Sequence, residues 1–257
     1  MATENRYFSG QGNVLVGPVN SSGAGFREVG NASAFTVALT TETLEHKESQ
    51  SGSRLTDLRL VTAQSAQLTL TLESFVFKNL ELALYGANDA KPAAIAVVQT
   101  LPTGFGPTNI GDLIYLDNMK VSSVVVKDST GVPITLVLGT DYSIHSADHG
   151  TLQVLSNWAV GFVQPIKVTY NYAAQDATAM FKTAPPERTV VGNLLNTAAA
   201  NAPFRIELYR VRFNPLANLA GISNEVAPME LTGAVLLDST KASSGVLGQF
   251  GRIVQAT

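Results

Sequence analysis

Three histidines, His46, His145 and His149, and a scatter of loop carboxylates are what this chain offers for acid–base or metal chemistry. The densest grouping is SIHSADHG, where His145, Asp148 and His149 lie close enough in sequence to hold a divalent cation. Asp-His-Gly is equally ordinary turn chemistry, and no second cluster completes a ligand set, so the turn reading is preferred. Glu42, Glu45 and Glu48 recur at every third position, which would serve paired-carboxylate catalysis only if they flanked a cleft. His46, Lys47 and Arg54 are interleaved with them, the pattern of a solvated loop tip. Such a tip can also dock, because opposite charges on a projecting loop fix register against a partner. With no cysteine, disulfides and thiolate sites are excluded. There is no G-x-S-x-G elbow, and the glycines of SGQG, SGAG and TGFG lack the context of a phosphate cradle. No catalytic residue, metal ligand or cofactor is expected.

The elements carrying these residues read as strands. Two long segments, residues 33–44 and 57–72, are joined by the charged loop EHKESQSGSR. Phe35, Val37 and Leu39 share one parity of the first; Leu58, Leu60, Ala66, Leu68, Leu70 and Leu72 share one parity of the second. At ~3.3 Å per residue the second segment reaches about 50 Å, well past an ordinary strand, which suggests pairing with a neighbouring copy. NVLVGPV and GFREV predict an opening strand pair. SFVFKNLELALYG predicts the one helix, with Phe77, Leu80 and Leu84 as its stripe, Ser74 as N-cap and Gly86 after its end.

Residues 87–109 read as a connector with one short strand at Ile95 to Gln99. From there DLIYL, SSVVVKD, TLVLG, DYSIH, GTLQVLS and QPIKVTYNY form close-spaced short strands, the signature of a small β-sandwich or barrel-like module. The expected division is a host domain at 1–109 and 176–257 with an inserted domain at 110–175, which surface loops tolerate. In FRIELYRVRFNP the apolar parity slips from Phe204, Ile206 and Leu208 to Tyr209, Val211 and Phe213, as a β-bulge would cause. MELTGAVLLDST places Leu231, Val235 and Leu237 on one face, and GQFGRIVQ predicts a closing strand.

The fold class is all-β with one helix. Charged residues are only 14% of the chain, against ~25% in soluble domains, which suits a surface covered by copies of itself. A net charge of −3 argues against gripping nucleic acid through its phosphates. No apolar run approaches the ~18 residues that span a bilayer. MATENRYFSGQG lacks the basic and apolar regions of a secretion signal, so synthesis in a cytoplasm is expected.

Five segments in order, GQGNVLVG, TVALTTETLEHKESQSGSR running on to QLTLTLESF, KNLELALYG, PFRIELYRVRFNP and MELTGAVLLD, resemble the major tail tube proteins of long-tailed bacteriophages. The resemblance covers roughly residues 10–90 and 180–240. It implies a β-sandwich with a flanking helix and long barrel-forming strands, with residues 110–175 as an inserted immunoglobulin-like decoration domain of the kind some members carry on the tube exterior. Hexameric rings of that subunit stack into the tube that conducts the genome from virion to host. The partners implied are the chain itself, a tape measure protein, a tail terminator and distal tail proteins. Double-stranded DNA would pass the lumen without specific binding, and no membrane is involved. In that picture Glu45, His46, Lys47, Glu48 and Arg54 touch the adjacent ring, and Gln67, Thr69, Thr71, Arg205 and Glu207 are candidates to line the lumen. A reading from a different class is a tail-tip or adhesin module that stacks host glycan on Tyr115, Tyr142, Trp158 and Tyr170. Packing in a core is the preferred use of those rings.

Overall fold

A computed structural model describes residues 7–21, 23–50, 52–101, 109–158, 162–242 and 247–255. The chain enters through β1 (Gly10–Gly17), β2 (Arg27–Glu28), β3 (Ala32–Lys47) and β4 (Thr56–Leu72), followed by helix α1 (Phe77–Ala83). It continues through β5 (Ala87–Lys91), β6 (Ala94–Thr100), β7 (Leu113–Tyr115), β8 (Val121–Lys127), β9 (Tyr142–Ser146), β10 (Thr151–Val154), β11 (Lys167–Tyr172) and β12 (Gln175–Ala179). It closes with β13 (Glu187–Asn196), β14 (Ala202–Phe213), β15 (Met229–Val235) and β16 (Gly251–Gln255). The fold is all-β with one helix among the described residues, as the alternation requires.

Two compact units divide the chain: residues 1–88 with 178–257, and residues 89–177. The second unit therefore starts well before the expected position 110. The reason is β6, which pairs antiparallel with β11 and so belongs to the insert. The chain's two passages between the units, β5 and β12, pair with each other as a two-stranded ribbon.

In the first unit an eight-stranded antiparallel sheet runs β2-β1-β13-β14-β15-β4-β3, with β16 also on β14. Leu68, Leu70 and Leu72 of β4, Leu231 of β15, Val190 of β13 and Val211 and Phe213 of β14 are all essentially solvent-free in one core. Each such side chain contributes roughly 1.5–3 kcal/mol of burial. The sheet curls back on itself: a β-carbon added at Gly192 of β13 would stand 3.2 Å from the ring of Phe35, on β3 at the far end of the sheet. Between Arg188 and Val190 the β13–β14 register shifts, giving β14 the extra residue that its parity slip predicts. Both Leu208 and Tyr209 are consequently buried. Leu237, expected beside Leu231 and Val235, falls after β15 ends and is exposed.

Helix α1 buries Asn79, Leu80, Leu82 and Ala83. Phe77, expected on the stripe, is exposed and meets Phe75 edge-on at 6.2 Å between ring centres. The buried position goes to Asn79, whose amide donates to the Val29 carbonyl (2.8 Å) and accepts from the Arg27 guanidinium (2.7 Å). Ser74 is not the cap. Val76 holds that place, and the Ser74 hydroxyl instead accepts the Asn31 backbone N–H at 2.9 Å. After the helix, Tyr85 takes the left-handed conformation (φ 51°), while Gly86 is required by space: a side chain there would strike Thr178 and the Ala179 carbonyl.

The second unit is built from two three-stranded sheets, β7-β10-β9 and β6-β11-β8. Val126, Leu152, Ile166, Val168 and Tyr170 form its core. TLVLG supplies isolated bridges at Thr135 and Leu138 rather than a strand. Its six strands among the described residues are one fewer than the seven of an immunoglobulin constant-type fold.

Candidate assembly surfaces

The β3–β4 hairpin outgrows the sheet that anchors it. Pairing of β15 with β4 ends at Val235 opposite Ala66, and beyond that point β4 pairs only with β3. Every residue from Thr56 to Ser65 is exposed. This distal half is a two-stranded ribbon, an arrangement barely stable alone in water. It nonetheless carries Leu44, Leu58, Leu60 and Val61 in solvent, with exposed Leu39 (80%) at its root and exposed Leu55 at its tip. An apolar ribbon with unpaired edges is an interaction surface or an aggregation hazard.

The register corrects the expected faces. Glu42 lies opposite Ala63 and Thr43 opposite Val61, so Thr62 is an inserted bulge residue. The extra residue reverses alternation beyond it. Leu58 and Leu60 therefore leave the face of Leu68, Leu70 and Leu72, and share with Leu44 and His46 the opposite one.

The tip is also shorter than the expected loop, because Glu45, His46 and Lys47 belong to β3. Glu45 faces Arg59 at 3.6 Å, and His46 Nδ1 lies 2.7 Å from Asp57. The Glu48 carboxylate accepts the Gln50 N–H at 2.7 Å, and Arg54 turns the chain at φ 48°. Exposed pairs such as Glu45–Arg59 contribute at most about 1 kcal/mol. They engage Glu45 and Asp57, and among the described residues Lys47 and Arg54 form no ion pair.

The expected lumen residues do not lie together. Gln67, Thr69 and Thr71 project from the side of β4 opposite the core, beside Ala38 and Thr36 of β3 and Ala234, Thr232 and Glu230 of β15. Arg205 and Glu207 project from the outer side of β14 where it pairs with β13 and β16. Because the sheet curls until β3 confronts β13, these outer sides point away from each other. Sequence reasoning also missed the partner of the second group. Arg252 on β16 donates to Glu207 at 2.6 Å, and Arg205 meets the same carboxylate at 2.6 Å. Burial pushes the Glu207 carboxyl up, but the hydrogen bonds and charges of Arg252 and Arg205 outweigh it and hold it below the usual range. Alternation marks Arg252 as outward-facing; only the β14–β16 register pairs it with Glu207.

The other chemical candidates are accounted for by local structure. SIHSADHG forms the β9–β10 turn, where His149 Nδ1 lies 2.8 Å from the Ser146 hydroxyl. No group of three or more His, Asp or Glu side chains that could hold a metal occurs among the described residues. Tyr142 and Tyr170 are core residues, their hydroxyls bonded to the Val124 carbonyl at 2.9 Å and to Asn118 and Gln99 at 2.8 and 2.9 Å. Trp158 packs on Phe162 at 4.9 Å, and Tyr115 alone of the four is exposed. Among the described residues no helix is long and apolar enough to cross a membrane.

Residues 7–254 match a family described as protein of unknown function UCP028589. A curated relative, the glycine dehydrogenase (decarboxylating) of Psychrobacter arcticus, is 24% identical over 179 residues, which cover 70% of this chain. The chain spans 16% of the length of that enzyme.

Proposed function

The chain belongs to the UCP028589 family of unknown function, and we propose that it is the structural, non-catalytic subunit of a bacteriophage tail tube. Copies would close into hexameric rings, and rings would stack into the conduit through which double-stranded DNA leaves the virion. The observation that carries this reading is the β3–β4 arm: an exposed apolar ribbon with open edges that none of the described residues covers. Pairing its edges across copies would remove the aggregation hazard. Synthesis would occur in the host cytoplasm. The ends of the tube would meet the tape measure, terminator and distal tail proteins.

Of the two outer surfaces, the one bearing Gln67, Thr69 and Thr71 is our lumen. Threonine, glutamine and alanine dominate it, and a surface with few cations lets DNA slide because it releases no condensed counterions. Arg205, by contrast, is tied to Glu207. Negative-stain microscopy of the purified protein at rising concentration is the test. Hollow tubes with a regular axial repeat are expected; a monomer at every concentration would overturn the proposal.

A further inference from the structure

Opposite the arm's tip, at the other end of β4, the first unit carries a second uncovered apolar surface. Phe75, Val76 and Phe77 stand in solvent directly after the strand. The segment between β14 and β15 adds Leu219, Ile222 (97% exposed) and Val226. Together with Leu72 and Met229 several of these side chains border a groove of about 250 Å³. An exposed leucine is ordinary by itself; exposed Phe75, Leu219 and Val226 around one groove point to a contact.

Resting on the tube reading, we infer that this groove is the receptor for the arm of the next copy, so that stacking joins the tip of one subunit to the base of another. Two features select that occupant. The surfaces lie at opposite ends of one seventeen-residue strand, about 55 Å apart at ~3.3 Å per residue. A contact between different patches on identical copies is head-to-tail, the geometry that propagates without limit. The charges also complement each other. The tip offers the cations Lys47 and Arg54, which form no ion pair among the described residues, whereas Glu73 lines the groove, Glu225 directly precedes its Val226, and no cation is among its described lining residues. Lys78 nearby is already paired with Glu81 at 3.0 Å.

A charge swap tests this. One variant carries Lys47→Glu and Arg54→Glu; a second carries Glu73→Lys and Glu225→Lys. Each alone sets like charges against each other, and should need at least about tenfold more protein to form stacks. Mixed, the two regain opposite charges wherever one variant's tip meets the other's groove, and should stack in alternation near the wild-type concentration. Circular dichroism and thermal unfolding of each variant establish that it is folded. As a positional check, Arg54→Cys with Glu225→Cys in this cysteine-free chain should give a disulfide ladder of oligomers on a non-reducing gel. If wild type forms tubes while folded variants stack unaided or the mixture fails to stack, the groove assignment is wrong and the tube reading stands. If wild type never assembles, the tube reading itself fails.

Discussion

Asp128 is a carboxylate whose surroundings give it a structural role. Its side chain is fully buried, and its carboxylate accepts N–H groups of Ile134 (2.7 Å), Val163 (3.2 Å) and Thr130 (3.3 Å) and the Thr130 hydroxyl (2.9 Å). Burial pushes the carboxyl up, but these donors outweigh it and hold it below its ordinary value. A depressed folded pKa gives stability that is present above the unfolded value, about 4, and is lost as pH falls through the folded one. Asp128→Asn should therefore lower the melting temperature at neutral pH and flatten its decline in acid. Thermal unfolding between neutral and strongly acidic pH measures both, and an unchanged acid slope would reject the assignment. Asp238, where the Thr240 hydroxyl bond is the leading cause, and Glu207 are depressed too, so the acid limb should shrink rather than vanish.

Among the elements, the bulge in β4 decides what the arm presents. With Thr62 inserted, Leu58 and Leu60 join Leu44 on the face opposite the core. Inserting one residue between Glu42 and Thr43 of β3 would give Thr62 a partner, restore strict alternation and turn those leucines to the other side. Since the whole distal ribbon is exposed, the insertion should leave the folded unit within about 0.5 kcal/mol of wild type, as for other surface changes. Assembly should nonetheless be lost. Unfolding in urea and light scattering on the same sample separate the two effects, and tubes of normal appearance would mean that the arm's facing is irrelevant.

For the whole molecule, the division at Asp89 and Ala177 changes which truncation is informative. Removing residues 110–175 would leave β6 without β11 and expose its unsatisfied edge, so that chain should aggregate. Removing Asp89–Ala177 instead joins two passages that already lie side by side in the β5–β12 ribbon. The shortened chain should fold and form tubes of smaller outer diameter. Microscopy beside circular dichroism checks this, and a chain that cannot fold would show the insert to be integral to the first unit.

Local pattern was enough for the all-β class, the long hairpin, the single helix and the slip in β14. Alternation and turn chemistry are written in neighbouring residues, and FRIELYRVRF displays its own bulge because its apolar side chains change parity. The Thr62 bulge left no such trace: Leu58 and Leu60 keep the apparent parity of Leu68, and only pairing with β3 reveals the reversal. The insert's boundary was hidden for a similar reason, since β6 looks like a connector until β11, far along the chain, claims its edge. Nor could composition separate Gln67, Thr69 and Thr71 from Arg205 and Glu207. Alternation tells which residues face away from a core, but the direction in which each outer face points depends on how the sheet curls. That curl is set by long-range contacts such as Phe35 against Gly192, which only the tertiary structure supplies.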